Sequence, residues 1–149
     1  MRRFGFAALA VLALIPAVYA ADGLIQVESP RSARETLDRF EAAAKARGRM
    51  VFARIDHAAG AEKVGKTLRP TARLIFGNPQ GGTPLMACAQ TAGVDLPLKA
   101  LAWQDAAGKT LLGYNDPAFL ARRHGTACAP VVEALTKALS GLAAEATAK

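Results

Sequence analysis

The sequence predicts an α+β fold, a mostly antiparallel sheet with helices packed on one face, and three observations lead there. The stretch LKALAWQDAAGKTLLGYND reads as two strands joined by Asp105-Ala106-Ala107-Gly108, where a glycine can take the left-handed conformation that a type I turn with a bulge requires. Residues 50–55 and 71–76 form a second pair of neighbouring strands, separated by IDHAAGAEKVGKTLRP, a short helix and loop. The longer helical segments carry one apolar stripe each, so they need a sheet or another helix to cover it. Strands that come in adjacent pairs, with a hairpin among them, favour a two-layer α+β sandwich over a parallel sheet.

Residues 1–20 are set apart from this fold. Met1-Arg2-Arg3 is a basic start, the uncharged run 4–15 is too short to span a bilayer, and Pro16 breaks it. Val18-Tyr19-Ala20 then places small residues at both recognition positions of a signal peptidase, so a cleavable signal peptide cut after Ala20 is expected. The mature chain would be periplasmic or secreted. No later run is apolar for the length of a membrane helix, so no stable membrane insertion is expected.

The remaining 129 of 149 residues suit one domain. A strand is expected at 24–28, followed by the capping box Ser32-Ala33-Arg34-Glu35 that starts a helix. Its buried stripe is Ala33, Leu37, Phe40 and Ala44, with Arg34/Asp38, Glu35/Arg39 and Glu41/Lys45 four apart on the wet side, and Gly48 ends it. After the strand at 71–76 comes FGNPQGGTPLM, in which Thr83-Pro84 resembles an N-cap with proline at the first helical position. That helix would run to Gly93 and bury Leu85, Cys88 or Ala89, and Ala92. Beyond the hairpin, Asn115-Asp116-Pro117 caps a short helix ending at Gly125. Pro130 opens a last one with Val131, Leu135, Ala138, Leu139 and Leu142 along one side.

These motifs carry a family resemblance. FARIDHAAGAEKVGKTLRPTARLIFGNPQGGTPLM, DLPLKALAWQD and YNDPAFLARRHG, in that order, are similar to domain of unknown function 302 (DUF302) over residues 24–125 or so, leaving 126–149 as a helical extension. The resemblance implies a fold similar to one half of the TATA-binding-protein saddle and pairing into a homodimer. It implies no activity. A sheet whose second face has too few helices to cover it within one chain also favours a dimer.

Charge narrows the partners. Removing Arg2 and Arg3 from 19 basic residues leaves 17 against 12 acidic, a net of +5, and the signs alternate along the chain. A nucleic-acid binder would show a one-sided basic stripe or stacking aromatics, so no nucleic acid is expected.

A nucleotide phosphate loop needs a lysine followed by Ser or Thr at its helix start, whereas here Gly81 and Gly82 precede Thr83. The free N–H groups of that helix can still hold a small anion. His57 and His124 are candidates for a general base, paired with Asp56 or Asp116, if they converge in one pocket. Zinc needs three or four ligands at close spacing, which the scattered acids and two cysteines do not supply, so no metal and no cofactor are expected. Ser29, Ser32 and Ser140 lack a GxSxG elbow. Trp103, mid-strand, is expected in the core.

Cys88 and Cys128 are the only thiols, and in an exported chain an even pair without a CxxC motif favours a disulfide. Cys88 is expected to point inward with Leu85 and Ala92. The candidate ligand site gathers residues at element ends: His57, Arg69, Asn78, Thr83, Tyr114, Asn115, Asp116, Arg123 and His124. The leading expectation is therefore an exported, dimeric binding domain for a small, anionic ligand or a protein partner. An acid-base enzyme using His57 or His124, and a structural or interaction protein without a ligand site, are the alternatives.

Overall fold

In the computed structural model, which describes residues 21–149, five strands form one antiparallel sheet in the order β1-β5-β4-β3-β2. The expected leader lies outside the described residues. β1 (Leu24–Ser29) pairs β5 (Thr110–Asn115), β5 pairs β4 (Leu98–Gln104), β4 pairs β3 (Thr71–Gly77), and β3 pairs β2 (Met50–Asp56) on the far edge. The β4–β5 hairpin turns through Asp105, whose carboxylate accepts from the N–H groups of Ala107 and Lys109, and Gly108 takes φ +82° as the turn requires.

α1 (Ala33–Ala46) begins at the capping box read in the sequence: Ser32 Oγ accepts from the Glu35 N–H, and the Glu35 carboxylate accepts from the Ser32 N–H. It buries Ala33, Thr36, Leu37, Phe40, Ala43 and Ala44. α5 (Ala129–Thr147) lies beside it and buries Leu135, Leu139, Leu142, Ala143 and Ala146. Both rest on the sheet face formed by the opposed residues Leu74, Ala100, Tyr114 and Ile25 in one row and Ala72, Ala102, Leu112 and Val27 in the next. At its centre the rings of Phe40 and Phe76 meet edge to face with centroids 5.0 Å apart. Ser29 and Thr36, both buried, satisfy one another across β1 and α1 at 2.7 Å.

The opposite sheet face carries Ile55, Arg73, Leu101, Gly113 and Gln26 in one row, flanked by Ile75 and Lys99 on one side and Trp103 and Leu111 on the other. Among the described residues no long helix crosses it. Trp103 is therefore not in the helix-covered core, as its place in mid-strand had suggested, but half-buried on the uncovered face with its ring laid over Gly113. Alternation alone cannot say which of a strand's two faces receives the helices.

The helix after β3 also differs from expectation. α3 (Pro79–Cys88) starts at Asn78 rather than Thr83, with Pro79 at the first position and Pro84 inside it. Asn78-Pro79 offers the same cap chemistry as Thr83-Pro84 five residues earlier, and the Asn78 carboxamide accepts from the Gly81 N–H at 2.9 Å. The helix stops at Cys88, and a 3₁₀ turn (Gln90–Val94) carries the chain to Gly93 and beyond. Within this segment Leu85 and Ala92 are buried while Cys88 is exposed, so Cys88 does not point inward. α2 (His57–Glu62) and α4 (Pro117–Arg123) form as read, the latter capped by Asp116 with Gly125 in the left-handed region beyond it.

Candidate functional site

A cavity of about 350 Å³ opens where β3 ends and β4 begins. Gly77, Asn78 and Pro79 turn the chain from β3 into α3, whose first turn supplies Gly81, Gly82 and Thr83 and whose third supplies Met86. Leu96, Pro97 and Leu98 enter β4 on the other wall, and Leu135 of α5 closes the floor. Met50 and Phe52 come from the edge strand β2 and stay largely exposed. Phe52 reaches the cavity because β2 bulges there. Val51 opposes Phe76 and Ala53 opposes Ile75, so Phe52 is the extra residue, re-aimed by the bulge.

One charge stands in this apolar setting. Arg49 is half-buried, and its Nε is buried without a hydrogen-bond partner. Burial first, and the charge of Arg47 second, hold its pKa below the ordinary arginine value, yet a guanidinium remains protonated at neutral pH. Among the described residues no carboxylate stands within ion-pairing distance of it. A half-buried cation without a carboxylate partner, set beside apolar walls, is an arrangement that an anionic group would complement.

The residues singled out in the sequence divide between the two ends of the sheet. Asn78 and Thr83 line the cavity. Asn78 also donates to the Gly48 carbonyl at 3.3 Å, tying the α3 cap to the turn before Arg49. Because the Asn78 side chain and carbonyl take the Gly81 and Gly82 N–H groups, the glycines do not form a phosphate cradle. Tyr114 is buried under the helices, where burial, then Asp116, pushes its hydroxyl pKa up. Asn115 ends β5, and Asp116 is occupied in accepting from the Ala118 N–H.

Arg123 and His124 meet Asp95 on the segment that leads into the cavity wall. His124 Nε2 lies 2.7 Å and Arg123 Nη1 3.0 Å from the two Asp95 carboxylate oxygens, while His124 Nδ1 lies 3.1 Å from Thr91 Oγ1. This cluster clamps the end of α4 to the 3₁₀ turn. Arg69, by contrast, donates to the Gln104 carbonyl at the far end of β4, and His57 starts α2 at that same end. The length of β4, ~20 Å at the usual rise, separates them from Asp95. The two histidines thus share no pocket.

Sequence reasoning missed Arg49, Met50, Phe52, Met86 and Leu96. Arg49 follows the helix-ending Gly48 and precedes a strand, a position that reads as a solvated charge. Its burial depends on α3 and α5, which arrive from distant parts of the chain. Among the described residues no group of three or more His, Cys, Asp or Glu side chains is placed to hold a metal. Cys88 and Cys128 stand at disulfide distance, with Cα atoms 6.1 Å apart.

Comparison with known proteins agrees with this architecture. A crystal structure of an uncharacterized conserved DUF302 protein from Bacillus stearothermophilus superposes with a TM-score of 0.75 at 22% identity, covering 85% of this chain and 99% of that one. Among curated proteins the chain is 55% identical over 102 residues to "Fluoride-specific ion channel FluC 1" of Brucella suis biovar 1 (strain 1330), covering 68% of this chain and 40% of that one. It matches "Fluoride-specific ion channel FluC 2" of Brucella melitensis biotype 1 (strain ATCC 23456 / CCUG 17765 / NCTC 10094 / 16M) equally over 102 residues, 68% of this chain and 38% of the relative. The chain therefore spans about 40% of the length of these curated relatives. The profile of Domain of unknown function DUF302 matches residues 25–142, a span that runs from the second residue of β1 through the other four strands to Leu142 in α5. On that match the chain belongs to the DUF302 family.

Proposed function

We propose that this chain is an exported binding domain that works as a homodimer and takes a small anionic ligand in the cavity beside α3. The observation that carries the reading is Arg49, a half-buried guanidinium without a carboxylate partner among the described residues, lining a cavity whose other walls are apolar apart from Asn78 and Thr83. The pairing rests on the uncovered sheet face, where Ile55, Ile75, Leu101, Trp103 and Leu111 are half-buried and crowd around Arg73, whose Nε is also buried without a partner. A second copy laid on that face would remove these side chains from water. The same face is what an interaction protein without a ligand site would need, which makes that the second reading.

The acid-base alternative loses its main support because His57 and His124 lie at opposite ends of the sheet. Fluoride, suggested by the names of the curated relatives, suits the cavity poorly. A small, strongly hydrated anion must exchange its water for several converging donors, and one guanidinium does not supply them. No helix among the described residues is long and apolar enough to cross a membrane, so a channel activity is not carried over.

Native mass spectrometry of protein isolated from the periplasm tests the reading. A dimer carrying a small-molecule adduct that Arg49→Gln removes is the expected result. An adduct unaffected by that substitution, or a bare chain that stays monomeric at micromolar concentration, contradicts it.

A further inference from the structure

The cavity has two ends of different chemistry, and two adjacent glycines keep them open. A Cβ built on Gly81 would stand 3.5 Å from Arg49 Nη1 and 3.2 Å from Asn78 Oδ1, so a side chain there would fill the space in front of the guanidinium. A Cβ on Gly82 would stand 3.6 Å from Leu96 Cδ1 and 4.0 Å from Met86 Cε, so a side chain there would fill the apolar end. Neither glycine lies in the left-handed region, so backbone conformation does not require glycine at either position. Both sit inside α3, where glycine weakens a helix relative to alanine. What the pair provides is space, polar at 81 and apolar at 82.

Charge and volume narrow the occupant. Arg49 is the single cation in the lining, and a planar guanidinium fork matches a carboxylate in size and charge, whereas a dianionic phosphate calls for further donors. Away from Asn78 and Thr83, the walls formed by Met50, Phe52, Met86, Leu96 and Pro97 offer thioethers, an aromatic ring and aliphatic groups suited to a hydrocarbon. At about 30 Å³ for a water-sized group, 350 Å³ admits roughly a dozen such groups.

Resting on the anion-binding reading above, we infer that the ligand is an amphipathic monocarboxylate: a carboxylate at Arg49 and Gly81, and a medium-length hydrocarbon tail running past Gly82 between Met86, Leu96 and Phe52. Phe52, exposed at the mouth and turned there by the bulge in β2, covers the tail where it leaves the cavity.

Isothermal titration of the ligand-stripped protein with sodium octanoate tests this, against 1-octanol, octylamine, acetate, inorganic phosphate and sodium fluoride. Octanoate is expected to bind one per chain and to exceed acetate and octylamine by about tenfold or more, the worth of one charge-assisted hydrogen bond or a few buried methylenes. Arg49→Gln should weaken octanoate by about tenfold while leaving octanol unchanged, and Gly82→Leu should abolish both. Arg49→Lys, which keeps the charge, should recover part of the octanoate affinity, and Arg49→Met, which removes the charge, serves in place of Arg49→Gln if circular dichroism shows that variant unfolded. Octanol binding as tightly as octanoate, or octanoate binding untouched by Arg49→Gln, overturns the head-group assignment. Acetate, phosphate or fluoride binding at Arg49 as tightly as octanoate overturns the amphiphile and leaves the anion site standing. No binding by any probe overturns both.

Discussion

Cys88 and Cys128 sit 40 residues apart in sequence and 6.1 Å apart at Cα, joining the end of α3 to the start of α5. If they are bonded, replacing both by serine opens a loop of that length in the unfolded chain. The chain-entropy relation gives ~13 cal/mol/K for such a loop, about 4 kcal/mol at 25 °C. Little cavity cost confuses the result, because Cys88 is exposed and Cys128 half-buried. With an unfolding entropy of ~2.1 cal/mol/K per residue, the 129 described residues unfold with about 270 cal/mol/K, so 4 kcal/mol corresponds to a fall in Tm of roughly 14 °C. Calorimetry of protein from an oxidising compartment, run with and without reductant and beside Cys88→Ser/Cys128→Ser, measures this. Reductant should lower the wild-type Tm towards that of the double variant and leave the variant unmoved. Coincident wild-type curves with and without reductant, or two titratable thiols per chain after denaturation without reductant, refute the bond.

Phe40→Ala, which removes a fully buried ring packed on Phe76, should cost about 3 to 5 kcal/mol in urea unfolding. Gly113→Ala places a Cβ 2.8 Å from Trp103 Cζ3, so the ring must move; the emission of this single tryptophan should shift and sedimentation should show a weaker dimer. Burial holds the Lys99 ammonium below the ordinary lysine value, with Asp95 opposing and Arg73 adding to it. The unfolded chain then binds that proton more tightly, so stability rises with pH between the folded and unfolded values. Lys99→Met should flatten this rise relative to wild type in unfolding measured across alkaline pH. Hydrogen bonds from Ser32 hold the Glu35 carboxyl below the ordinary glutamate value. Ser32→Ala should move its NMR titration upwards.

How much of this was legible in the sequence follows from the range of each interaction. The capping box at Ser32, the Asp105–Gly108 turn and the Asp116-Pro117 cap are set by neighbours within four residues, and they form where the sequence places them. Asn78-Pro79 and Thr83-Pro84 are two copies of one local signal, and the choice between them falls to packing. Starting at Asn78 allows the carboxamide to bond both Gly81 and Gly48, which lies thirty residues away. Strand alternation fixed two faces for Trp103 without saying which one α1 and α5 would take. Arg49 was invisible as a site residue for the same reason. Its neighbours in sequence are a glycine and an exposed methionine, and the walls that bury it come from α3, β4 and α5.

The most direct test of the central claim is residue-resolved NMR of the protein titrated with octanoate, following the backbone amides and the Arg49 guanidinium Nη–H signals together. Perturbations should centre on Arg49, Gly77, Gly81, Gly82, Met86 and Leu96, with the Arg49 Nη–H signals moving downfield as they gain an acceptor. Perturbations confined to the sheet face around Leu101 and Trp103, with the Arg49 signal unmoved, would contradict it.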